Sequence, residues 1–126
     1  MHTKYIYCYF CKNRNIRKAT RVADVETIKK RHPDKIPIVV ERFPGEKQLP
    51  TLDNTKFLVP DYLSVAELIK ILRLKLHLNP TQSFYLLTNS RSLVSGSMTM
   101  LQLYQREQDE DGYLYILFAS QEVFGH

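Results

Sequence analysis

Few residues in this chain have the type and spacing that covalent or metal chemistry needs. Cys8-x-x-Cys11 is the one cysteine pair. A zinc site takes four ligands, usually a second such pair or a histidine pair. Here His2, His32, His77 and His126 each stand alone. A thioredoxin-type dithiol opens a helix in a βαβ setting, whereas this pair lies among Tyr5, Ile6, Tyr7, Tyr9 and Phe10. Asp109-Glu110-Asp111-Gly112 has the charge to attract calcium, but the twelve-position loop of an EF-hand is missing. A turn that caps itself before a strand suits those residues better. The four glycines form no phosphate-binding loop, and no serine stands in a nucleophile elbow. The sequence predicts no enzyme, no metal site and no cofactor.

The remaining chemistry is recognition, and it centres on Thr55-Lys56-Phe57-Leu58-Val59-Pro60. In a strand, alternate side chains point to opposite faces, so Leu58 faces one way and Phe57 and Val59 the other. Pro60 donates no ladder hydrogen bond, which puts the strand at a sheet margin or ends it there. One expectation is a docking rail for another chain. The other is a strand covered on its second face by a helix of the same domain.

Around that stretch, 126 residues with 44% hydrophobic content suit one globular domain. No apolar run reaches bilayer length. The first residues lack the long aliphatic stretch and small-residue cleavage site of a signal peptide, so the cysteines are expected as reduced thiols of a cytosolic protein. The charge is uneven. Residues 1–35 carry ten Lys/Arg against three Asp/Glu, and the remainder carries eight against ten. A basic arm rich in aromatics suits an acidic partner: nucleic acid, anionic lipid or acidic protein. A solvated helix surface is the plainer reading of the same charges.

The positioning elements follow from period and punctuation. Tyr5 to Lys12 could be helix, strand or disordered. Val22, Val25 and Ile28 recur at helical spacing between Arg17 and His32, with Pro33 as a stop. Ile36 to Phe43 is a β-branched strand, with Pro37 at its start or at a sheet edge. Thr55 to Val59 pairs with it. Ser64-x-x-Glu67 is a capping box opening a helix to about Leu76. Val65, Leu68, Ile69, Leu72 and Leu76 form its core stripe. Leu68, Ile71 and Lys75 form a surplus apolar flank. Ser83 to Thr88 is a buried strand and Asn89 to Arg91 a turn. Leu93-Val94 is a short strand or bridge. Ser97 caps a helix through Met100, Leu103 and Tyr104, and Tyr113 to Phe118 is the last strand. This order predicts an α+β fold, a β-grasp sheet with an extra helix in front.

Five segments carry a resemblance. They are Asp34–Arg42, Leu52–Pro60, Phe84–Leu87, Asp109–Tyr115 and Ala119–Gly125. In this order the chain resembles the autophagy ubiquitin-like modifiers over roughly residues 17–125. Gly45–Pro50 leans toward the microtubule-associated protein light chain subgroup. The resemblance implies a ubiquitin-like β-grasp with additional N-terminal helices: an arm at 1–16, a ubiquitin-like domain at 17–125, and removal of residue 126. A processing cysteine protease would cut between Gly125, which follows Phe124, and His126. Activating and conjugating enzymes would then join Gly125 to phosphatidylethanolamine on autophagosomal membranes.

The resemblance also implies binding of cargo receptors through aromatic-x-x-aliphatic peptides with acidic flanks, added as an edge strand. Asp24, Ile28, Pro37, Val39, Lys56, Leu58 and Tyr113 would form the aromatic pocket. Phe57, Val59, Pro60, Leu68, Ile71 and Leu72 would form the aliphatic pocket. Lys35 and Lys56 would meet the acidic flank. Each of these residues has core packing as its alternative role. An unconjugated ubiquitin-like interaction domain is the alternative function. Nucleic-acid binding by the arm is a third reading and is not expected. The chain departs from the family pattern at Lys75, where arginine is common, and at Asn15 and Ile16, where positive charge is expected. The arm Tyr5–Phe10 is richer in aromatics than the family requires, and would either pack on the domain or enter a membrane.

Overall fold

The computed structural model describes residues 17–88 and 93–120, and the backbone of Tyr7–Cys8. Cys11, the turn at 89–91 and the tail residues Phe124, Gly125 and His126 lie outside the described residues. In chain order the elements are β1 (Tyr7–Cys8), α1 (Lys18–Arg31), β2 (Lys35–Arg42), β3 (Lys56–Pro60), α2 (Val65–Lys75), β4 (Phe84–Thr88), α3 (Met100–Glu107) and β5 (Leu114–Ser120). The five strands form one mixed sheet in the order β1-β3-β2-β5-β4. β2 and β5 run parallel at its centre and the other pairs are antiparallel.

Alternation along the strands divides the core in two. Ile36, Ile38, Val40, Phe57, Val59, Leu114, Ile116 and Phe118 face α2 and α3 in the larger cluster. Val39 and Tyr113 face the other way, with Val25 of α1 packed on them. The period-two reading of Phe57, Leu58 and Val59 therefore holds; Leu58 lies outside the larger cluster and is only 2% exposed, and α1 packs on the second face through Val25 against Val39 and Tyr113. Central parallel strands lie buried on both faces, which is why Ile36–Val40 is an unbroken buried run.

Several local expectations hold and others shift. Ser64 caps α2 with the reciprocal Glu67 bond. Pro37 is the third residue of β2, before pairing with β5 begins at Ile38. Leu93 makes only an isolated bridge, to Leu87. The last helix is capped by Thr99 rather than Ser97, because Thr99 has Gln102 three residues on to close the box. On α2 the buried stripe is Val65, Leu68, Ile71 and Leu72; Ile69 is half-buried. Ile71 is thus part of the core rather than of a surplus flank. Among the described residues one helix, α1, precedes the sheet's first long strand, where additional helices were expected.

The largest correction concerns β3. The sequence puts it at the sheet margin or ends it at Pro60; it does end at Pro60, but it is not the margin, because β1 lies outside it, with Tyr7 opposite Leu58 and Cys8 opposite Phe57. Tyr is a strong β former, and a two-residue pairing on an available edge satisfies backbone groups that would otherwise face water. The arm segment Tyr7–Cys8 therefore packs on the domain as a strand.

Candidate functional site

The acidic turn before β5 fixes α1 on the sheet. Gly112 has φ +92°, and a Cβ there would sit 2.6 Å from Val25 Cγ1. Only glycine permits both the backbone and the close approach. Asp111 accepts from the Tyr113 N–H at 2.8 Å, from Arg21 Nε at 2.8 Å and from the Tyr115 hydroxyl. Burial pushes its pKa up, but these donors outweigh burial and hold the carboxyl below its usual range. Burial and the Asp111 carboxylate raise the Tyr115 phenol well above its ordinary value. Asp109, Glu110 and Asp111 thus cap a turn and anchor a helix. Lys18 adds an exposed 2.7 Å pair with Glu110, which contributes little in water.

Next to that anchor is a hollow of about 110 Å³ lined by Arg21, Val39, Glu41, Thr55, Lys56 and Tyr115. Val39 and Lys56 belong to the expected aromatic pocket. Thr55 opens the central stretch read from the sequence, but Arg21, Glu41 and Tyr115 are not among the expected binding residues. Their spacing carried no motif; only the register that sets Val39 opposite both Lys56 and Tyr115 brings them together. The other expected members lie close by in the fold but are packed. Ile28, Pro37, Leu58 and Tyr113 are buried, and Asp24 is half-buried. Asp24 Oδ2 is itself hidden from solvent with no hydrogen-bond donor on it among the described residues.

Lys56 is 5% exposed, and its Nζ lies 5.3 Å from the centre of the Tyr113 ring. Burial lowers its pKa, partly offset by the Asp24 and Asp111 carboxylates. A benzene-sized guest takes a cavity of about 150 Å³. The hollow as it stands is smaller than that. Lys35 is half-buried at the start of β2, opposite Pro60.

The expected aliphatic pocket is closed. Phe57, Val59, Leu68, Ile71 and Leu72 are each 2% exposed or less and belong to the main core, and Pro60 is buried as well. Lys75 Nζ lies 5.7 Å from the centre of the Phe57 ring, at the margin of this cluster. A larger hollow of about 330 Å³ is lined by the loops at 41–45 and 51–55. It holds none of the residues expected to bind.

At the far end of β5, the buried Glu46 carboxylate gathers four donors. They are the N–H groups of Gln48, Leu49 and Ser120 and the Ser120 hydroxyl, at 2.7 to 3.0 Å. Burial raises the Glu46 pKa, but the donors bring it below its ordinary value. Phe43 N–H donates to the Phe118 carbonyl at 2.9 Å. The last described residue of the chain is therefore held in place where the tail leaves the sheet.

Three comparisons bear on this arrangement. A family model described as "Autophagy protein Atg8 ubiquitin like" matches residues 20–125. The chain is 50% identical to Protein lgg-2 of Caenorhabditis elegans over 105 residues, 83% of this chain and 81% of that protein. It is also 50% identical to human microtubule-associated protein 1 light chain 3 gamma over 107 residues, 85% of this chain and 73% of that protein. The crystal structure of Trypanosoma brucei ATG8 superposes with a TM-score of 0.79 at 30% identity, covering 85% of this chain and 90% of that one.

Proposed function

The chain belongs to the Atg8 family of ubiquitin-like autophagy proteins, and from that premise we propose that it is a lipid-conjugated modifier that recruits cargo receptors. It is a substrate of enzymes rather than an enzyme. A cysteine protease hydrolyses the bond between Gly125 and His126. An activating enzyme and a conjugating enzyme then carry the Gly125 carboxyl to the amine of phosphatidylethanolamine. Glycine lacks a Cβ, so its carbonyl enters narrow active sites, and a two-chain lipid meets the condition for stable anchoring. The protein is cytoplasmic until joined to the autophagosomal membrane.

On that membrane it binds aromatic-x-x-aliphatic peptides along β3 as an added strand. The hollow beside Val39 and Lys56 takes the aromatic side chain. The orphan Asp24 carboxylate oxygen suits an indole N–H or phenol O–H. Lys35 and Lys56 draw the acidic flank. The aliphatic side chain enters between β3 and α2, where Val59 and Ile71 must part to admit it.

The family match through residue 125 carries this reading. Its test is mass spectrometry of the protein incubated with the processing and conjugating enzymes, ATP and phosphatidylethanolamine liposomes. The expected product has lost His126 and gained the lipid, and Gly125→Ala prevents the lipid adduct. Absence of any lipid adduct on the unmodified chain, with a family member conjugated in parallel, contradicts it.

A further inference from the structure

We propose that the N-terminal arm is an intramolecular competitor for the peptide-docking edge, with β1 holding β3 closed until a receptor peptide displaces it. This rests on the docking reading above and adds its regulation.

The geometry is direct. In the sheet order β1-β3-β2-β5-β4, the side of β3 away from β2 faces β1. An added peptide strand can pair only there, because β2 occupies the other side over Lys56–Pro60. β1 pairs with Phe57 and Leu58, in the middle of that five-residue edge. In an antiparallel ladder a hydrogen-bonded pair exchanges both its N–H and C=O groups. A strand seated at Phe57 and Leu58 therefore consumes the backbone groups that a visiting strand would need. The two cannot be bound together.

The size of the contact sets its strength. β1 is two residues long, so it supplies about one such exchange, a small net gain for a backbone pair. That is enough to populate the closed edge and too little to lock it. An edge free for only about a tenth of the time weakens apparent peptide affinity about tenfold. The arm thus sets a threshold that weak or partial motifs fail to pass.

The arm is also basic, with Lys4, Lys12 and Arg14, so deleting it alone would mix two effects of opposite sign. Removing the strand relieves competition, but removing the charge costs attraction to an acidic flank. The test therefore uses three forms of the full-length protein: unmodified, a Tyr7→Pro/Cys8→Pro double variant, and one lacking residues 1–12. Each is titrated calorimetrically with a synthetic peptide containing an aromatic-x-x-aliphatic core and an acidic flank. Proline removes both N–H donors while keeping every charge.

The double variant is expected to bind about tenfold more tightly than the unmodified chain. It should also show faster amide exchange at Phe57 or Leu58 in the absence of peptide. Equal or weaker binding by the double variant overturns the competitor while leaving the docking reading intact. Failure of all three forms to bind overturns both.

Discussion

At the residue scale, the positions that decide most are those where chemistry and packing admit one side chain. Gly112 is one. Alanine there must hold φ near +92° and place a methyl 2.6 Å from Val25 Cγ1, so Gly112→Ala should lose about 2–3 kcal/mol of stability in denaturant unfolding. Glu46 is another, since its carboxylate takes four donors from two segments. Glu46→Gln should cost about 2 kcal/mol, measured the same way.

Both Glu46 and Asp111 have folded pKa values below their ordinary ones. Their ionised forms favour the native state, so the stability they add is complete above about pH 4–5 and is lost as pH falls through the folded values. Midpoints of thermal unfolding should therefore drop below about pH 4, and drop less steeply in Glu46→Gln. Neither role was legible from sequence. Glu46 sits in a polar loop without a motif, and its partner Ser120 is 74 positions away. The Asp109–Asp111 run was legible as a turn, but its hold on Arg21 depends on where α1 lands.

At the element scale, the sequence was most informative where a local pattern decides. The Ser64 box fixes the start of α2, and Ser64→Ala should cost about 1 kcal/mol. β2 and β3 follow from their β-branched runs. Thr99 was missed because Ser97, Thr99 and Met100 lie in one polar-to-apolar transition, and the box pairs Thr99 with Gln102. Ile71 lies outside the narrow stripe in the sequence but is buried beside Leu72 in the main core, so α2 buries a wider face than that stripe. The sequence leaves Tyr5 to Lys12, which contains β1, open between helix, strand and disorder for a physical reason: a two-residue strand carries no period. Only the long-range register with Phe57 and Leu58 defines it. That same register turned an expected margin strand into an interior one. Because β1 pairs with β3 alone among the described residues, and over two residues, removing residues 1–12 should lower the unfolding free energy by only about 1.4 kcal/mol, the equivalent of the tenfold competition.

At the scale of the whole molecule, the sheet is covered on one face by α2 and α3 and packed by α1 on the other. Fold and family were readable in the sequence because their motifs recur in order along the chain. The state of the binding edge was not, because it depends on which distant backbone reaches β3 first. The uneven charge places a basic front beside an acidic remainder, so affinity for acidic-flanked peptides should fall as salt is raised. Lys56→Met should weaken that affinity and flatten its salt dependence, read by calorimetry at two ionic strengths.

The central claim is that β3 receives a partner's strand. Amide chemical-shift mapping during titration with an aromatic-x-x-aliphatic, acidic-flanked peptide tests it most directly. The largest shifts should fall on Lys56–Pro60, with Val39 and Tyr115 marking the hollow. Shifts confined to β4, α3 or the 41–55 loops, with β3 unmoved at saturation, would contradict it.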